Sequence, residues 1–165
     1  MVEIEHFKPI LKAIIGRSKL FLVDEMGLDV EFDGEYRSVG KIVLKKYTTM
    51  IGIGGRLNLL FYTTYDELLL DNLTKMFAYG TIMEDEYIAL RESAAGEIAN
   101  LIIGHALCDF PDGGRGITIT PPITIEDAKS ILKTNGTSMI SAFLSTPYGN
   151  MEFNVIGSLK GVQNA

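Results

Sequence analysis

The sequence predicts an α+β protein in which long helices lie on an antiparallel sheet. Helix-like and strand-like stretches come in segregated runs (helix, strands, two helices, strands) and not in strict alternation. Apolar residues near the start and in the middle recur every three to four positions, as on one face of a helix. Those around position 60 and near the end alternate along the chain, as on one face of a sheet. The two halves resemble each other in outline, which suggests a pseudo-repeat, although no residue-level repeat accompanies it.

Glu3 to about Met26 reads as the first helix, because Phe7, Ile10, Leu11, Ile14 and Ile15 share a face and Gly27 can stop it. Pro9 falls in the first turns, where proline costs least. Asp29 to Phe32 is a short strand ended by Asp33-Gly34. Val39–Ile53 and Arg56–Thr63 are longer strands joined through Gly54-Gly55. Thr64 is the expected cap of a helix from Tyr65 to Ala78, with Leu68, Leu69, Leu73 and Met76 inward and Gly80 as its stop. A longer helix starts at Glu84-Asp85-Glu86, whose carboxylates suit the positive end of the helix dipole, and runs to Cys108. Phe110-Pro111-Asp112-Gly113-Gly114 breaks it. Gly116–Thr120 and Ile123–Ile125 are β-like, with Pro121-Pro122 at an edge or bend. Glu126–Lys133 reads as a helical turn. Met139–Ser145 and Asn150–Ile156 form a final hairpin, and the last residues are expected to be loose.

Length and composition bound the function. A chain of 165 residues suffices for one domain with a sizeable core, spanning 1–165. A net charge of −6 argues against nucleic acid as the main partner, since phosphate backbones are bound through surplus Lys and Arg. The single cysteine, Cys108, allows no intrachain disulfide and suits a reducing cytoplasm; it reads as a packed thiol. The acidic start carries no signal-peptide pattern, and no apolar run reaches the ~18–20 residues of a membrane span. The expectation is a soluble, cytoplasmic protein.

The informative segment is Arg91 to His105. At 3.6 residues per turn, Ser93, Glu97, Asn100 and Gly104 fall within an arc of about 60°, while Ala95, Ile98, Ile102 and Ala106 lie opposite and can face the core. One side of this helix is thus polar yet sterically bare, and a partner can approach it closely. Glu97 and Asn100 are three apart and neighbours on the surface. A carboxylate can engage a partner's cation, and an amide can hold a water in a chosen direction. Lacking a metal or nucleophile of their own, the two can complete a site whose other parts belong to another molecule. Arg91 fits the pattern poorly and is expected above the edge of the packed region.

Ser93-x-x-x-Glu97-x-x-Asn100, followed some twenty residues later by Pro121-Pro122, resembles the signature of the CheX/CheC/FliY response-regulator phosphatases. The likeness extends from about Phe7 to Ile156, and the single Glu/Asn copy is closer to CheX than to CheC. The resemblance implies a phosphatase that accelerates hydrolysis of the aspartyl-phosphate of a CheY-like receiver. Glu97 and Asn100 would be catalytic, with Ser93 and Gly104 in contact with the partner. No cofactor of its own is implied; magnesium is expected in the receiver, and a homodimer is expected from the relatives. The family often has a small or polar run after the asparagine, where this chain has Ile103, His105 and, further on, Leu107. A non-catalytic adaptor of the same fold is the alternative.

The remaining candidates read as structural. His6 and His105 lack convergent ligands for a metal. Gly52-Ile-Gly-Gly55 lacks the Lys-Ser/Thr ending and the following helix of a phosphate loop, and reads as a turn between strands.

Overall fold

In the computed structural model, which describes residues 2–78 and 84–158, three helices cover one face of a seven-stranded antiparallel sheet. The helices are α1 (Val2–Leu20), α2 (Glu67–Phe77) and α3 (Glu84–Ala106). The strands are β1 (Arg37–Ser38), β2 (Lys41–Val43), β3 (Tyr47–Gly55), β4 (Leu59–Tyr65), β5 (Ile117–Ile119), β6 (Ile123–Glu126), β7 (Ser130–Leu132), β8 (Thr137–Thr146) and β9 (Gly149–Ser158). The main sheet runs β1-β8-β9-β4-β3, and β5 and β6 both pair with β3, while β2 and β7 form a separate ribbon. The predicted α+β class is the observed one. The expected stop at Gly80, the carboxylates of Glu84 and Asp85, and the loose tail lie outside the described side chains.

The first helix ends as its sequence suggests. After Leu20 it continues as a π-turn over Phe21–Glu25, and Gly27 at φ 64° closes it with its N–H on the Val23 carbonyl. Phe7, Ile10, Leu11, Ile14 and Ile15 are all buried against the sheet. Asp29–Phe32 is not a strand: only Glu31 bridges to Ser145.

The glycines Gly52–Gly55 sit within β3, not in a connecting turn. A Cβ on Gly55, whose φ is 80°, would lie 2.0 Å from the Gly116 carbonyl oxygen, so only glycine lets β5 close on this edge. The single strand expected over Val39–Ile53 is split into β2 and β3, because Lys45 and Lys46 turn the chain between two different pairings. The proline pair lies between β5 and β6, where three residues oppose two on β3, a bulge at the sheet edge.

Four further expectations are corrected. Thr64 caps no helix: Thr64 and Tyr65 belong to β4, paired with β3 and β9, and Asp66 precedes α2. The Thr64 hydroxyl instead accepts the Lys45 N–H and donates to the Tyr47 carbonyl. The inward stripe of α2 is Leu69, Leu70, Leu73 and Thr74, while Leu68 and Met76 are exposed. Glu126–Lys133 is not helical, because Ser130–Leu132 finds its backbone partners in β2. Cys108 is exposed, in a 3₁₀ turn after α3, not packed.

Core-facing residues alternate along the strands. Met151, Phe153 and Val155 of β9 and Ile140, Ala142 and Leu144 of β8 meet the helices in one cluster. The ribbon lies towards the other face, where Ile42, Tyr62 and Met139 are buried outside that cluster.

Candidate functional site

The middle of α3 is fixed on three sides. Ala95, Ile98, Ile102 and Ala106 are buried as predicted, and so are Ala94, Ala99 and Ile103. Each fully buried isoleucine here contributes about 2 kcal/mol. From the sheet, the buried Tyr65 hydroxyl donates to the Ala95 carbonyl at 3.2 Å. Burial pushes that phenol well above its ordinary range, which keeps it a proton donor. From the edge, Thr124 of β6 donates to the Glu92 carbonyl at 3.2 Å. Gly96 faces the same strand, and a Cβ there would stand 3.3 Å from the Thr124 oxygen and 3.8 Å from Pro122. The glycine thus lets the proline-bearing edge lie close against the helix.

Arg91 supplies the third fixture and corrects its expected position. It is buried, not above the packed region, and forms ion pairs with Asp71 and, at 3.1 Å, with Glu67 of α2. Its guanidinium also lies near the rings of Tyr47 and Tyr87. Burial alone would lower its pKa, and Tyr47 and Asp71 more than offset that. The sequence signal was weak because both acidic partners lie on another helix.

The opposite side of α3 remains uncommitted. Ser93, Glu97 and Gly104 are exposed and Asn100 is half-buried. Among the described residues, neither the Glu97 nor the Asn100 side chain has a hydrogen bond or ion pair within the chain. A Cβ on Gly104 would meet nothing within 4 Å. Ser93 and Glu97 form a ridge between two grooves. One, of about 350 Å³, faces Pro122 and Thr124; the other, of about 190 Å³, faces Thr74 and Phe77 of α2. Ile103, which differs in kind from the small or polar residues expected there, points into the core and leaves this surface unchanged. His105 is exposed beside it.

The described residues contain no group of three potential metal-binding His, Cys, Asp or Glu side chains, and none of their helices is long and apolar enough to cross a membrane. What the arrangement can do chemically is place a carboxylate and an amide, on a rigid helix with short neighbours, into a concavity of another molecule.

The molecule is therefore of the helix-presenting α+β class, with a polar helix face offered from a braced sheet. The family model described as chemotaxis phosphatase CheX matches residues 47–144, more than half of the chain, and the protein belongs to that family. Among solved structures it is similar to a chemotaxis protein CheX from Desulfovibrio desulfuricans, at 18% identity and a TM-score of 0.74, covering 88% of this chain and 97% of that one. A CheC-like superfamily protein from Shewanella sp. PV-4 is similar at 17% identity and a TM-score of 0.71, covering 90% and 96%. The CheX–CheY–BeF3–Mg2+ complex from Borrelia burgdorferi contains a chain similar at 16% identity and a TM-score of 0.68, covering 90% and 97%. At these identities the likeness to each structure concerns the fold. No curated protein sequence gives a significant match.

Proposed function

We propose that the protein is a phosphatase for the aspartyl-phosphate of a CheY-like receiver domain, with α3 as the element that enters the receiver's active site. The observation that carries this reading is the pair Glu97 and Asn100, unspent within the chain, on a helix side of small residues. Membership of the CheX family and the likeness to a chain crystallised with CheY support the choice of partner.

In this reading Glu97 pairs with a lysine of the receiver and anchors the helix. Asn100 holds a water in line with phosphorus through its amide. The water oxygen attacks phosphorus, the bond from phosphorus to the aspartyl oxygen breaks, and the receiver's carboxylate and inorganic phosphate result, with a proton lost to solvent. Magnesium held by the receiver neutralises charge on the phosphoryl oxygens. The contribution of this chain is mainly positional, because an acyl phosphate is already reactive.

The test is a timed loss of label from phosphorylated receiver with and without the protein. Acceleration is expected, and Asn100→Ala should remove about 10²-fold of it or more. Binding without acceleration would favour an adaptor, and full activity in Asn100→Ala would sink the assignment.

A further inference from the structure

The geometry points to a second binding site, for a small organic carboxylate with an apolar body, in the cleft between the β2–β7 ribbon and the outer face of the sheet. The site is on the sheet face away from the helices and stands independently of the reading of α3.

The cleft holds about 300 Å³, the lower end of the usual range for small-molecule sites. Val39, Ile42, Val43 and Phe143 give it apolar walls. Its ionised groups are Arg37, Lys41, Lys45 and Glu152, three cations to one carboxylate in a chain whose net charge is −6. Two of those cations are committed. Arg37 pairs with Asp33 at 2.6 Å and lies over the Phe143 ring, and Lys45 is shared between Asp66 at 2.7 Å and Glu152 at 3.3 Å. Lys41 makes no ion pair among the described residues and is the cation left for an incoming anion.

Asn154 supplies the second, independent sign of a ligand. It lines the cleft from the middle of β9 and is 2% exposed. Its Oδ1 accepts from the Ser141 hydroxyl at 2.5 Å, but its Nδ2 has no partner among the described residues. A buried amide donor left without an acceptor is costly, about 1–3 kcal/mol, and native structures rarely keep one without a use. The Asn154 Nδ2 is covered, with under 1 Å² of accessible surface. A carboxylate held by Lys41 would therefore satisfy both groups only as the Asn154 side chain turns its amide into the cleft, with the apolar body against Phe143 and the ribbon. A neutral apolar molecule would satisfy neither.

The experiment is a titration of the full, isotope-labelled chain with phenylacetate, followed by amide shifts, with phenylacetamide as the neutral isostere. Saturable shifts are expected at Lys41–Val43, Ser141–Phe143 and Glu152–Asn154, including the Asn154 side-chain amide. Lys41→Gln, a surface change that leaves packing intact, should weaken binding about tenfold, the scale of one charge-assisted contact. Asn154→Leu should weaken it as well. Four results would overturn the site: no saturable shift at millimolar phenylacetate, equal binding of phenylacetamide, shifts confined to α3, or a self-association that covers the cleft before any ligand is added.

Discussion

Helices α1 and α3 pack against each other on the same sheet, and both bury a continuous apolar stripe. Their outward sides differ. On α1 that side carries Glu5, Lys8, Lys12 and Lys19, long charged chains that keep a surface wet. On α3 it carries Ser93, Glu97, Asn100 and Gly104, with no lysine or arginine among them. A helix that has only to face water gains solubility from long charges. One that has to enter another molecule's pocket must keep its profile low and its few polar groups unspent. The contrast teaches that the two helices share a structural task, and that the outward side of α3 differs from that of α1 in the way the proposed docking role requires.

That comparison can be broken at the mounting, at the polar pair or at the profile. The largest effect is expected from Arg91→Ala, which leaves Asp71 of α2 without its buried partner. Denaturant unfolding should show a loss of about 3 kcal/mol, and an unchanged midpoint would mean the clamp contributes nothing. Glu97→Ala should weaken binding to the activated receiver by about 30-fold, measured by calorimetry, as when one member of a desolvated charge pair is removed. Thermal stability should hold, because Glu97 has no partner among the described residues. Gly104→Lys restores an α1-like profile at a position where a Cβ meets nothing. Receiver affinity should fall by about tenfold from the steric intrusion while folding is kept, whereas Lys12→Ala on α1 should leave it within about twofold.

The smallest effect is electrostatic. Burial pushes the Asp66 carboxyl up, but the Lys45 hydrogen bond and charge and the Asn150 N–H outweigh it and hold the group below its ordinary 3.8. A depressed folded value means that the stabilisation is present above the unfolded value and is lost as pH falls through the folded one. With Asp66 40% exposed, the contribution is under about 1 kcal/mol. Acid titration of stability should therefore be slightly flatter below pH ~4 in Asp66→Asn, and an identical profile would remove this link.

The outward face of α3 was legible because its signal is local: four small or polar residues at one angular position, opposite a run of Ala and Ile. The class of fold was legible for the same reason, from the periods of the long elements. The features that escaped depend on non-local pairing. Glu126–Lys133 reads locally as a helical turn, and only the pairing with β2 makes Ser130–Leu132 a strand. Thr64 looks like a cap, yet its hydroxyl and backbone are taken by β3 and β9. Arg91 seemed out of place until Asp71 came beside it. Asn154, one of two amides in β9, was visible in the sequence but acquires meaning only with the ribbon beside it.

The most direct measurement tracks the Asn100 side-chain amide signal of the labelled protein as beryllofluoride-activated receiver is added. The account predicts a marked shift of that signal, with matching changes at Ser93, Glu97 and Gly104 and none at Lys8 or Lys12. A receiver that binds while those α3 signals stay in place, or that moves α1 instead, would contradict it.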